Sequence, residues 1–131
     1  QRFFVETAQQ QASWHIAKTA TEFEQLLATV PKGQKVIIDV YADWCVACQP
    51  IEHKVLKAAA VQQALAPYFL IKLDLSQYDT THQTLLNRWE ILGPPTYLFL
   101  DTQQQEIRSL RLTGAFNEAE LLAQLQRLEQ L

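Results

Sequence analysis

Cys45-Val46-Ala47-Cys48 places the only two cysteines of the chain three positions apart, directly after a strand-like run and where a helix is expected to begin. Two thiols so spaced can pass two electrons by opening and closing a disulfide between them. Blander uses fit less well. A disulfide stabilises mainly by closing a loop in the unfolded chain, and a loop this short yields only about 2 kcal/mol, so a purely structural staple is inefficient. A zinc site usually draws on four ligands; here only His15, His53 and His82 remain, none at finger spacing. Covalent haem attachment needs a histidine straight after the second cysteine, and that position is Gln49.

The residues around the pair can be given roles from physical chemistry alone. A helix starting near Cys45 would offer its unpaired amides and dipole to a thiolate there, making Cys45 the attacking nucleophile. Cys48, less than a turn deeper, would be shielded and placed to resolve the mixed disulfide that Cys45 forms with a partner. Asp39 interrupts an otherwise apolar strand. If buried, its pKa is raised and it suits the task of accepting the proton of Cys48; the alternative is an aspartate at an exposed strand edge. Positions 45, 48 and 52 of one α-helix fall within a stripe roughly 60° wide, which brings Glu52 to the thiols as a second acid, unless it is a solvated helix-surface charge. Negative charge beside a thiol disfavours its thiolate, so both acids would oppose the helix dipole at Cys45. Lys72, also in an apolar strand, could pair with Asp39 or face outward. Pro50 lies inside the expected helix and predicts a kink.

The elements that must hold these groups alternate along the chain. A strand is expected around Trp14 to Lys18. Thr21-Glu22-Phe23-Glu24 reads as a capping box opening a helix with Phe23, Leu26, Leu27 and Val30 on one face, ending at Pro31-Lys32-Gly33. Val36 to Tyr41 is apolar on both faces, as a doubly covered central strand requires. A helix from about Cys45, a strand at Phe69 to Leu73, a helix at Thr84 to Trp89, strands at Thr96 to Leu100 and Glu106 to Leu112, and a helix capped by Asn117 with Leu121, Leu125 and Leu128 in one stripe complete the order. The pattern βαβαβαββα predicts an α/β fold, a central mixed sheet with helices on both faces.

The frame is one domain. Its 131 residues are 48% apolar and 19% charged, enough to build a core. Eleven basic against fourteen acidic residues leave a net charge of −3, with no basic run to bind nucleic acid. Apolar stretches such as Tyr97-Leu98-Phe99-Leu100 fall far short of the roughly eighteen residues that span a bilayer, so a soluble, monomeric segment is expected with no membrane insertion of its own. Residues 1–13, with Gln9-Gln10-Gln11 at their centre, read as a linker or arm and 14–131 as the domain. The chain lacks methionine and begins at Gln1, which predicts a processed protein or a piece of a longer one.

Trp44-Cys45-Val46-Ala47-Cys48, with Asp39 upstream and Gly93-Pro94-Pro95-Thr96 downstream, resembles the thioredoxin superfamily from about Trp14 to the C-terminus. The resemblance implies a thioredoxin-like fold, a cis peptide bond before Pro95, and a substrate surface formed by Trp44, Pro94, Pro95 and Thr96, with Pro94 lending only its carbonyl. Thioredoxin proper has Gly-Pro between its cysteines and its helix proline further along than Pro50. The string Tyr41 to Cys48, with Glu52 and Leu92-Gly93, is instead similar to the C-terminal periplasmic domains of the DsbD thiol:disulfide interchange family. That likeness implies a periplasmic relay module tethered to the bacterial inner membrane. It would take electrons from a membrane-embedded domain of its own chain and hand them to the N-terminal periplasmic domain, with Asp39 and Glu52 tuning Cys45 and no cofactor beyond the two sulfurs. A free-standing protein-disulfide reductase and a non-catalytic interaction module are the rival expectations.

Overall fold

The computed structural model describes residues 12–131; most of the expected arm at 1–13 lies outside them. Strand β1 (Trp14–Ala17) leads into helix α1 (Ala20–Thr29). The cap of α1 is Thr19, two residues before the expected box: its hydroxyl accepts from the Glu22 amide at 3.1 Å, and the Glu22 carboxylate accepts from the Lys18 amide at 2.7 Å. Pro31 follows directly on the helix, and Gly33 supplies the left-handed turn, φ 87°, that starts the return to the sheet.

Strand β2 (Val36–Tyr41) is buried along nearly its whole length and lies at the centre of a five-stranded mixed sheet ordered β1-β3-β2-β4-β5. It runs parallel to β3 (Phe69–Asp74) and antiparallel to β4 (Thr96–Leu100), while β5 (Leu112–Thr113) adds a short antiparallel edge. Side chains alternate across β2. Val36, Ile38 and Val40 join Phe23 of α1 and Leu85 and Leu86 of α4 (His82–Arg88) in one apolar layer. Ile37, with Tyr97 and Phe99 of β4, packs in the other layer under α3 (Ala59–Leu65) and α5 (Glu118–Glu129). Asp39 shares that second face by alternation. Asn117 caps α5 with a full capping box, and Leu121, Leu125 and Leu128 all point into the core.

Three expectations are corrected. The connection from β2 to β3 is not one helix from Cys45. It begins with the short α2 (Cys48–Pro50), continues as a π-helix (Ile51–Val55), turns, and ends in α3. Cys45 therefore sits three residues ahead of the first helical residue. Pro50 falls in the first turn, where its missing N–H is not needed, and in place of a proline kink the irregularity is the π winding, closed by a Leu56 amide to Ile51 carbonyl bond of 2.9 Å. The strand expected at Glu106 to Leu112 is an isolated bridge at Glu106, a 3₁₀ turn (Arg108–Leu110) and then β5.

The cause of that last departure is Arg111. Its buried guanidinium grips both carboxylate oxygens of Glu106 at 2.7 Å and donates to the carbonyls of Trp89 and Glu90 at 2.8 and 2.7 Å. Glu90 is in the left-handed region, φ 57°, so Arg111 holds a strained turn just ahead of Gly93-Pro94-Pro95. Removing one partner of a buried ion pair strands the other. Arg111→Ala is expected to cost about 3 kcal/mol or more in urea unfolding; a loss under about 1 kcal/mol would show the clamp to be dispensable.

Candidate functional site

The turn between β2 and α2 brings the cysteines together. Backbone bonds from Cys45 N–H to the Ala42 carbonyl and from Cys48 N–H to the Cys45 carbonyl wind the segment tightly, and the two residues are joined by a disulfide with Cα atoms 5.3 Å apart. Both cysteines are buried, Cys45 at 7% exposure and Cys48 at 2%. The Cys48 amide donates to Cys45 Sγ at 3.2 Å. That single N–H, in place of the expected helix terminus, is the backbone group positioned to favour negative charge on Cys45. Gln49 closes the turn from outside, its amide donating to the carbonyls of Asp43 and Cys45.

Asp39 is not at an edge. It is 2% exposed in the central strand, and its direct neighbours across the sheet are Lys72 on β3 and Tyr97 on β4. The Tyr97 hydroxyl donates to Asp39 Oδ2 at 3.0 Å. Glu52 of the π-helix acts on the same group electrostatically, its presence raising the Asp39 pKa. Glu52 is no solvated surface charge: its side chain is 14% exposed and ion-paired to Lys72. Lys72 neither faces outward nor bonds Asp39; it holds Glu52, with its ammonium 4.7 Å from the centre of the Tyr41 ring.

Burial holds the Asp39 carboxyl well above the usual aspartate range, the hydrogen bond and negative charge of Glu52 push it further the same way, and Lys72 and Tyr97 pull against them. Tyr97 is itself raised well above the ordinary phenol value, by burial first and then by the Asp39 charge, so it remains a proton donor across neutral pH. The row Tyr97, Asp39, Glu52, Lys72 thus sets two interacting carboxyls between donors, Tyr97 bonded to Asp39 and Lys72 paired with Glu52.

The substrate-surface residues divide. Trp44 is 60% exposed and Leu92 almost fully so. Pro94 is half-buried, and Pro95 is buried beyond a cis Pro94-Pro95 bond. Thr96 is buried, its hydroxyl donating to the Gly93 carbonyl at 2.6 Å and its backbone paired with Val40 and Thr113. Among the described residues no group of three or more histidine, cysteine, aspartate or glutamate side chains is arranged to hold a metal ion, and no helix is long and apolar enough to cross a membrane. The sequence reading missed Tyr97 and Arg111; only strand register and a tertiary ion pair reveal them.

Comparison with known proteins agrees with this arrangement. Residues 19–129 match the thioredoxin-like domain family. The thiol:disulfide interchange protein DsbD of Yersinia pestis (strain Pestoides F) is 39% identical over 121 residues, covering 90% of this chain and 20% of that protein. The reduced C-terminal domain of Neisseria meningitidis DsbD superposes with a TM-score of 0.69 at 22% identity, covering 88% of this chain and 98% of the other. A thioredoxin from Thermus thermophilus gives 0.67 at 25% identity, covering 90% and 87%. The chain spans about a fifth of the length of the curated relatives it matches, and it carries a C-x-x-C disulfide of the kind thiol-disulfide exchange uses.

The raised Asp39 acidity has a consequence for stability. Between the ordinary aspartate midpoint and the higher folded one, the folded chain holds a proton that the unfolded chain has lost, so stability falls as pH rises through that window. Asp39→Asn removes this cost while keeping an acceptor for Tyr97. The variant is expected to melt above the wild type at pH 7, by roughly 4 °C for each pH unit of displacement, and to lose the advantage below about pH 4. A variant that melts lower at pH 7 would mean Asp39 is held ionised by Lys72.

Proposed function

Because the chain belongs to the thioredoxin-like domain family, we propose that it is a thiol-disulfide oxidoreductase module in which Cys45 attacks and Cys48 resolves. In the reduced state the Cys45 thiolate attacks a partner disulfide, forming a mixed disulfide and expelling one partner sulfur. Asp39 takes the proton of Cys48, whose sulfur then attacks Cys45 Sγ. The second partner sulfur leaves, and the Cys45–Cys48 disulfide carries away the two-electron change. A carboxyl with a raised pKa suits this transfer near neutral pH. The observation that carries the reading is the Cys45–Cys48 disulfide at the end of the central strand, with Cys45 the less buried of the two and flanked in the chain by exposed Trp44 and Val46. Trp44 and Pro94 form the edge on which an extended partner segment lies, with Pro94 offering its carbonyl and the buried Pro95 and Thr96 fixing its position from beneath.

Within that chemistry, the module serves as a relay. It takes electrons from a membrane-embedded domain and passes them to an N-terminal periplasmic domain of the same longer protein, with residues 1–13 in the tether. Sequence likeness to DsbD proteins about five times as long supports this reading.

Two variants test the chemistry. Cys45→Ser should reduce dithiothreitol-driven insulin reduction to background, and Cys48→Ser should accumulate a mixed disulfide through Cys45. A stable adduct that forms with Cys45→Ser instead reverses the assignment. For the relay, the reduced module should be oxidised by an isolated DsbD N-terminal domain at least about tenfold faster than by insulin; equal rates would favour a general reductase.

A further inference from the structure

The Tyr97 phenol is fully buried, and its ring is held edge-on by Trp14 and Phe116, with centroids 6.1 and 4.9 Å away. It has one recorded acceptor, Asp39 Oδ2. Its place directly opposite Asp39 in the β2–β4 register fixes the approach. The other charged or titratable groups facing Asp39 are Lys72 from β3 and Glu52 from the π-helix, and Lys72 is engaged by Glu52. The two oxygens of Asp39 are therefore unequal, since Oδ2 already receives a proton from a donor that cannot turn away.

We propose that Tyr97 is the positioning residue for proton transfer at this site, its hydroxyl fixing the Asp39 carboxyl through Oδ2 as that carboxyl takes and returns the proton. The inference rests on the reading of Asp39 as the proton acceptor. In the resolving step the Cys48 S–H bond breaks and an O–H bond forms on Asp39, the freed sulfur displaces the partner from Cys45, and the partner sulfur leaves with the electron pair of the broken S–S bond. A hydrogen bond donated to the ionised carboxylate also favours that form, so Tyr97 works against burial and Glu52 and keeps Asp39 able to release its proton.

Tyr97→Phe deletes only the hydroxyl and keeps the ring packing. The Asp39 carboxyl carbon, followed by NMR in the reduced protein, should titrate about one pH unit higher in the variant than in the wild type, and the pH profile of mixed-disulfide resolution should move up with it. An unchanged Asp39 midpoint overturns the proposal, whatever the reading of Asp39 itself. A midpoint that moves while the resolution profile of both Tyr97→Phe and Asp39→Asn stays with the wild type instead overturns the acceptor reading, and the positioning role with it. Should the variant unfold, the wild type alone decides: the Tyr97 Cζ resonance should follow the Asp39 titration with the same midpoint, and a signal flat through that range refutes the coupling.

Discussion

A carboxyl placed in the middle of a strand buried on both faces must be given partners, and much of this structure is arranged around supplying them to Asp39. The strands on either side contribute Tyr97 and Lys72 at the register positions opposite it. The π-helix contributes Glu52, and Lys72 secures Glu52 rather than Asp39. An isolated ionised carboxylate in such a place would be prohibitively costly, so the group either keeps its proton or is hydrogen-bonded. Here the second carboxyl makes keeping it easier and the phenol makes losing it easier. A balance of that kind suits a group that must accept and return one proton per cycle.

The helix after the cysteines is irregular where it carries Glu52, which lies in the π winding and pairs with Lys72 of the sheet. Such bulges occur mostly as single turns and frequently at functional sites. Pro50 sits in the first turn ahead of it, where its lack of an amide proton is harmless. The Cys48 amide donates to Cys45 Sγ and is the backbone group placed to favour charge there. Both cysteines are buried, Cys48 more completely than Cys45.

Much of this was legible in the sequence, where the signal was local. The unbroken apolar run from Val36 to Tyr41 announced a central strand, and Asp39 within it announced a buried acid. Asn117 with the stripe of Leu121, Leu125 and Leu128 announced the last helix, and the spacing of the cysteines pointed to a disulfide pair. What escaped depends on register and tertiary contact. Tyr97 looks like any aromatic strand residue until β4 pairs with β2, and the choice of Lys72 between Asp39 and Glu52 needs the π-helix in place. Glu106 to Leu112 reads as a strand, but Arg111 turns inward to pair with Glu106 and Arg108–Leu110 wind into a 3₁₀ turn.

The proposal that the buried acids Asp39 and Glu52 hold the ionisation of Cys45 in check has a direct test. The most direct measurement is the pH dependence of Cys45 alkylation in the reduced protein, compared between the wild type and the Asp39→Asn/Glu52→Gln double variant. The account predicts a midpoint lower in the double variant, by on the order of one pH unit. A midpoint equal to the wild type, or above it, would contradict the account.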